Sequence, residues 1–126
     1  MPTREIVDVS FANNPNAAPA TRFGNLVFVS GQPGFHPDTG ELGKDIREQT
    51  RNALERVKGI LEAAGTSLEN VLSVNGYVTK REDRAAYNEE YVKYFPNDKP
   101  ARSTVEVQLA RPDMLVEVAA TAGIPD

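Results

Sequence analysis

One amphipathic segment in the middle of the chain constrains the fold more than any other feature. Between residues 46 and 64, apolar side chains recur at steps of three and four, which places them on one side of a helix. Asp45 can cap this helix, Glu48 follows three residues later in a capping-box-like pair, and Gly65 supplies the stop. The apolar side consists of Ile46, Ala53, Leu54, Val57, Ile60, Leu61 and Ala64. It must be buried against a second layer of structure.

Strand-forming segments surround this helix and can supply that layer. Alternating or β-branched runs predict strands over residues 5–9, 25–30, 71–80, 101–110 and 114–123. A second helix is predicted over residues 84–94, and segments rich in Asn, Pro and Gly predict loops over residues 11–21 and 31–43. The short Arg-Pro-Asp turn at residues 111–113 predicts that the last two strands form a β-hairpin.

The order of these elements, β-β-α-β-α-β-β, predicts an α+β fold with both helices on one face of a mainly antiparallel sheet. At 126 residues the chain has the size of one domain, and we take residues 1–126 as that domain. The second face of such a sheet must be polar or buried against another subunit. Val and Ala occur on both sides of the strands, so we predict a homo-oligomer.

The rare residue types exclude several kinds of site. The chain has no cysteine, which excludes disulfides, thiolate metal sites and a cysteine nucleophile. Its one histidine, His36, lies in a Gly- and Pro-rich loop with no neighbour to orient it, so a surface histidine is favoured over a zinc ligand or a Ser-His-Asp triad. We predict no metal and no cofactor.

Charge and hydropathy limit the partners and the compartment. The net charge of −4 disfavours a general nucleic-acid-binding protein. Six scattered cations are predicted to be solvated surface residues: Arg22, Arg47, Arg51, Arg56, Lys58 and Arg84. No apolar run has the length of a signal peptide or a membrane span, so we expect a cytoplasmic protein without membrane contact.

Two charged residues occupy positions where charge is costly. Glu117 lies within the apolar run MLVEVAA, and Arg102 begins the preceding predicted strand. A guanidinium suits a ligand carboxylate, which it can hold through two parallel hydrogen bonds. Spacing alone slightly favours a simpler interpretation, an internal or intersubunit salt bridge between Arg102 and Glu117. Glu106 has the same local sequence environment, but an exposed edge or an outer sheet face explains it best.

Several segments together resemble the Rid family, also known as YjgF-like proteins or enamine/imine deaminases. They are NLVFVSGQ at residues 25–32, LEAAG at 61–65, and PARSTVEV at 100–107 followed by LVEVAA at 115–120. The resemblance covers about residues 19–122, and its most specific part is Pro-Ala-Arg-Ser with a glutamate on the next strand. It implies a chorismate-mutase-like homotrimer with active sites in clefts between subunits.

The resemblance also implies roles for individual residues. Arg102 matches the arginine that clamps the substrate carboxylate, and Glu117 matches the glutamate that positions and activates the attacking water. Thr104 matches a position that is often cysteine and that works mainly through its backbone. The remaining matches line the pocket: Ser30 and Gly31 at a strand end, where backbone N–H groups can reach the ligand, and Asn88 on a helix.

The sequence departs from the family pattern at one pocket position. The family's pocket tyrosine falls on Ala17, and Phe23 or Phe35 could fill the space. In family members that hydrolyse 2-aminoacrylate this tyrosine helps to define the pocket, so the substitution bears on the choice of substrate.

The predicted reaction is hydrolytic deamination of enamine/imine intermediates, 2-imino acids of the 2-aminoacrylate type, to 2-keto acids and ammonia. An imine carbon is already electrophilic, so acid–base help and positioning are sufficient. Two alternatives stay open: a deaminase of a larger enamine such as an aminomuconate-like dicarboxylate, for which Ala17 leaves room, and a non-catalytic trimer that binds small carboxylates. Nuclease activity has no support in these residues, which include no metal cluster and no basic face.

Overall fold

Two α-helices lie on one face of a six-stranded, mostly antiparallel sheet in the computed structural model, which describes residues 1–126. The strands are β1 (Arg4–Val7), β2 (Ala20–Phe23), β3 (Leu26–Pro33), β4 (Val71–Val78), β5 (Ala101–Glu106) and β6 (Val116–Gly123). The helices are α1 (Ile46–Ala63) and α2 (Arg84–Tyr94). The strand order is β1-β2-β3-β6-β4-β5, and only β4 and β5 are parallel. The predicted α+β class is confirmed. Neither helix is long and apolar enough to cross a membrane.

Helix α1 forms where the apolar pattern predicts it. The Asp45 side chain accepts a hydrogen bond from the Glu48 backbone N–H at 2.9 Å, which caps the first turn. Gly65 has φ +91, a left-handed conformation that ends a helix and favours glycine. All seven residues of the apolar side are buried. They pack against core residues of the sheet, which include Val27, Val74, Val116 and Val118.

Two expectations about the strands are wrong. Strand β2 lies partly within the predicted loop over residues 11–21, and its four residues pair with β1 and β3 without an alternating pattern that would reveal it. The last two strands do not form a hairpin, because β4 lies between them, antiparallel to β6 and parallel to β5. The turn at residues 111–113 exists, but it belongs to a nine-residue connection that carries the chain across the end of β4.

The sheet face away from the helices, called the open face, carries large apolar side chains. Ile6, Thr21, Phe28 and Thr121 follow one another across four neighbouring strands in this face. Phe28 is 48% exposed, and Ile6, Leu26 and Val105 are exposed as well. Several exposed large apolar side chains on one face of a sheet are typical of a contact between chains. This face is therefore the surface on which we place the predicted self-association.

A buried carboxylate joins the two helices. Glu90 of α2 accepts hydrogen bonds from Arg47, Arg51 and Lys93, at 3.1, 3.2 and 3.2 Å. Burial alone would raise the pKa of Glu90, but the hydrogen bonds from Lys93, Arg51 and Arg47 outweigh it and hold the pKa below its ordinary value. Arg47 and Arg51 are exposed, as the sequence predicts, but they are held by this ion-pair network.

We expect Glu90→Gln to lower the free energy of unfolding by about 1–2 kcal/mol at neutral pH, between the values for exposed and fully buried ion pairs. A carboxyl whose pKa is lowered in the folded state stabilises the fold at pH values above its unfolded-state pKa. That contribution is lost as the pH falls through the folded-state pKa. The difference from the wild type should therefore shrink in acid, which urea denaturation at neutral and acidic pH can measure. Glu89→Gln, at an exposed position that contacts only Arg47, is the control. Equal losses for both variants would contradict the assignment.

Candidate functional site

The first candidate group surrounds Arg102 at the start of β5. Its side chain lies on the helix face, where Nη1 donates to Asn88 Oδ1 at 2.8 Å and Cζ lies 4.7 Å from the centre of the Tyr91 ring. The other guanidinium nitrogens have no acceptor in the chain, and no carboxylate forms an ion pair with Arg102. The salt bridge between Arg102 and Glu117 is absent within one chain. The guanidinium is thus held in place but not neutralised, the state in which it can bind a ligand carboxylate.

Three buried hydroxyl groups lie beneath this arginine. Gly76 of β4 leaves room for the Tyr87 ring, because a Cβ there would overlap the Tyr87 hydroxyl. The hydroxyls of Tyr87, Tyr91 and Thr104 are buried without a hydrogen-bond partner in the chain. Burial raises the pKa of Tyr87 to about 12, against the opposing charge of Arg102, so this hydroxyl stays a neutral donor. Tyr87, Asn88, Tyr91, Arg102 and Thr104 are called the arginine half-site below.

The second candidate group surrounds Glu117 in the middle of β6. Val116 and Val118 on either side point into the core, so Glu117 points to the open face, where it pairs across with Tyr77 and Pro33. Gly31 lies so close that a Cβ on it would overlap the Glu117 carboxylate, so a larger residue there would displace this side chain. Burial raises the pKa of Glu117, with no cation nearby to oppose it. Such a carboxylate is suited to accept a proton from water.

Ser30 and Gly31 form an irregular step in β3, where the register to β6 shifts between Val29 and Gln32. The Ser30 hydroxyl donates to the Ala18 carbonyl at 2.6 Å, and its backbone N–H donates to the Pro19 carbonyl at 2.9 Å. Ser30 therefore holds the preceding loop against the end of β3, and the Ser30 backbone N–H takes part in that contact. Ser30, Gly31 and Glu117 are called the glutamate half-site below.

A cavity of about 180 Å³ opens beside the glutamate half-site. Ser30, Gly31 and Ala17 all line it, so the strand end and the position of the missing pocket tyrosine lie at one cavity. Of the two phenylalanines considered for that space, Phe35 lines the cavity, whereas Phe23 lies exposed at the end of β2.

Arg56 also lines this cavity, and the expectation that it is a solvated surface residue is wrong. It is only 8% exposed, its Nε donates to Gln32 Oε1 at 3.0 Å, and its Cζ lies 5.3 Å from the centre of the Phe11 ring. No carboxylate pairs with it, and burial lowers its pKa. The signal in the sequence was its position, three residues after Ala53 and four before Ile60 on the apolar side of α1.

Two other residues considered from the sequence have ordinary surroundings. His36 Nδ1 accepts hydrogen bonds from the backbone N–H groups of Asp38 and Thr39, which shapes a surface turn. Glu106 is half-exposed on the edge strand and lies 3.7 Å from Arg81. No group of three or more His, Cys, Asp or Glu side chains lies together.

The two half-sites lie on opposite faces of the sheet. Arg102 pairs with Val74 of β4 and shares its helix-facing side, whereas Glu117 pairs with Tyr77 and shares the open face. Strand β4 separates them, so they are about 10 Å apart across the sheet and about 10 Å apart along it. One small substrate cannot contact both residues in a single chain. A shared site therefore requires two copies.

Comparisons with known proteins identify the family and its fold. The endoribonuclease L-PSP family matches residues 9–124. A RutC family protein of Pyrococcus horikoshii is 47% identical over 104 residues, which is 82% of each chain. The structure of YyfA, a Rid family protein of Yersinia pestis, is similar with a TM-score of 0.90 and 31% identity over 97% of this chain and 100% of that one. That of E. coli TdcF with bound serine has a TM-score of 0.88 and 32% identity, over 96% and 99%.

Proposed function

Since this chain belongs to the endoribonuclease L-PSP family, which the Rid resemblance of its sequence also indicates, we propose that it hydrolyses 2-imino acids, or their enamine tautomers, to 2-keto acids and ammonia. The site would form between copies of the chain, with the arginine half-site of one facing the glutamate half-site of another. The observation that carries the proposal is the Arg102 guanidinium, which Asn88 and Tyr91 hold in place without an ion-pair partner.

Arg102 binds the substrate carboxylate and thereby positions the C=N carbon. The contacts with Asn88 and Tyr91 restrict the guanidinium before the substrate arrives, so less side-chain entropy is lost on binding. A two-point contact with the carboxylate also fixes the direction of the C=N bond. Correct placement of a reactant is one of the large contributions to catalysis.

Glu117 acts on the water. Its carboxylate accepts a proton as the water oxygen attacks the imine carbon and passes that proton to the nitrogen, which gives a carbinolamine that carries both OH and NH₂. Glu117 then takes the hydroxyl proton and delivers it to the NH₂ group, so that the C–N bond breaks, ammonia leaves and the C=O bond forms. General acid–base catalysis of this kind contributes about 10²- to 10⁴-fold. The imine carbon is electrophilic enough to need no further activation.

Two further observations favour a small carboxylate as the ligand. The structure of E. coli TdcF contains serine, which carries a single α-carboxylate. The family description names RNA cleavage, but the net charge of −4 and pI of about 5.0 favour a small anion over a polyanion. The test is to generate imines in situ with an amino-acid oxidase and to follow the formation of keto acid. If small carboxylates stabilise the protein against heat but the protein does not accelerate hydrolysis of any imine, the result would instead indicate a binding protein.

Mixing two inactive variants tests whether the site forms between copies. Arg102→Ala and Glu117→Gln should each be inactive alone, whereas assemblies of both should regain about one quarter of the wild-type sites, because each site draws one residue from each of two neighbours. The measurement is the imine assay on co-refolded variants, with mixed assemblies verified by native mass spectrometry. No recovery in verified mixtures would contradict a shared site.

A further inference from the structure

Arg56 is a buried cation that the proposed reaction does not use. Its side chain is more than nine-tenths buried, and no carboxylate of the chain lies within ion-pair distance. Of its five N–H donors, only the one on Nε has an acceptor in the chain, the Gln32 side chain. The Nη groups are not sealed in the protein interior but reach a cavity, and a partly desolvated guanidinium there favours a compensating group.

The position of Arg56 indicates what that group is. The guanidinium forms part of the wall of the cavity that Ser30 and Gly31 also line. Ala17 carries no side chain beyond Cβ, which leaves this space open. The cavity of about 180 Å³ has the volume of about six water molecules, enough for a carboxylate and a short carbon linker. An anion bound here would satisfy the free donors of Arg56.

The cavity adjoins the proposed reaction centre. Gly31 lines it and at the same time contacts the Glu117 carboxylate. A group bound at Arg56 would reach Glu117 past Gly31, at the end of β3, rather than through the sheet. The α-carboxylate, by contrast, is assigned to Arg102 of a neighbouring copy.

We propose that Arg56 forms a second anion subsite, and that the preferred substrates are 2-imino acids with a second, distal carboxylate. This inference rests on the proposed function, with Arg102 and Arg56 binding the two ends of the substrate and Glu117 acting between them. The stack of Arg56 on Phe11 and its hydrogen bond to Gln32 orient the guanidinium toward this role. A purely structural role for Arg56 is the outcome that would replace it.

The test compares kcat/KM for imines made from a dicarboxylic amino acid, such as glutamate, and from alanine. The wild type should favour the dicarboxylic imine. Arg56→Gln removes the charge and should lower kcat/KM for the dicarboxylic imine by about 10- to 100-fold, with a much smaller loss for the alanine imine. Lys58→Gln, which removes an exposed cation from the same helix, is the matched control and should change neither value.

Each result supports or overturns the subsite. Equal losses on both imines, or a wild type without preference for the dicarboxylic one, overturn it while the proposed reaction stands. If no imine is hydrolysed faster, the proposed reaction is wrong, and thermal stabilisation by bound keto acids then tests the subsite. 2-Oxoglutarate should stabilise the protein more than pyruvate does, and the difference should depend on Arg56. If Arg56→Gln does not fold, the wild-type preference decides: a wild type that does not favour the dicarboxylic imine overturns the subsite.

Discussion

Replacing Arg102 by alanine is expected to lower kcat/KM for 2-imino acids by at least about 10³-fold, because the substrate loses both its anchor and its orientation. Arg102→Lys keeps a charge but loses the planar fork and the stack on Tyr91, so we expect most of the activity to be lost there too. Stopped-flow or coupled measurement of keto acid, with the imine generated in situ, gives these values.

The fold should tolerate these changes, since Arg102 is exposed and forms no ion pair. Arg81→Ala is the control, because Arg81 is an exposed arginine near the same edge strand and pairs only with Glu106. It should leave kcat/KM close to that of the wild type. If Arg102→Ala retains wild-type activity while folded, Arg102 has no part in the reaction.

The sequence predicts those parts of the fold that depend on local patterns. Helix α1 follows from its apolar side and from the signals at Asp45 and Gly65, which are all local. The partner of a strand is not a local property. The short turn at residues 111–113 looked like a hairpin turn, but the Val-rich strand β4 is buried on the helix face and takes both neighbouring strands as partners.

The position of β4 also determines how the two candidate residues lie relative to each other. In a hairpin, Arg102 and Glu117 would lie on adjacent strands, where an internal salt bridge is reasonable. With β4 between them they lie on opposite faces, and neither neutralises the other. Residue types and the family resemblance identified both residues, but only the strand order shows that a common substrate requires a second copy.

The burial of Arg56 has a different physical reason. A charged residue type predicts a surface position, but residue 56 lies on the apolar side of α1. Long side chains can bury their stems and carry their charge elsewhere. Here the charge meets a cavity wall formed by residues from distant parts of the chain, such as Ala17 and Gly31. Neither the cavity nor the missing ion-pair partner can be read from one helix.

Replacing Glu117 by glutamine is expected to have opposite effects on activity and on stability. Activity should fall by about 10²- to 10⁴-fold, because glutamine cannot accept the proton of the attacking water. The free energy of unfolding at neutral pH should be higher than that of the wild type. Burial raises the pKa of Glu117 in the folded state, so its ionised form is less favourable there than in the unfolded chain, and glutamine removes that cost.

The pH dependence distinguishes this explanation from a simple loss of packing. A carboxyl with a raised folded-state pKa stabilises the fold fully only below its unfolded-state pKa, and this contribution is lost as pH rises through the folded-state pKa. The stability gain of Glu117→Gln should therefore vanish in acid and grow with pH. Wild-type kcat/KM should rise with pH through a pKa above the ordinary glutamate value. The kcat/KM of Glu117→Gln should not show this rise.

Glu106→Gln is the matched control, because Glu106 is a half-exposed glutamate between two valines on the edge strand β5. It should alter neither kcat/KM nor the pH profile. A Glu117→Gln protein that is less stable than the wild type at neutral pH would show that the carboxylate is satisfied by a contact between copies rather than left for water. A Glu117→Gln protein with full activity would assign the water to another group. Loss of activity with a gain in stability is the combination expected of a carboxylate kept at the site for its chemistry, because nothing in the packing of β6 requires a charge there.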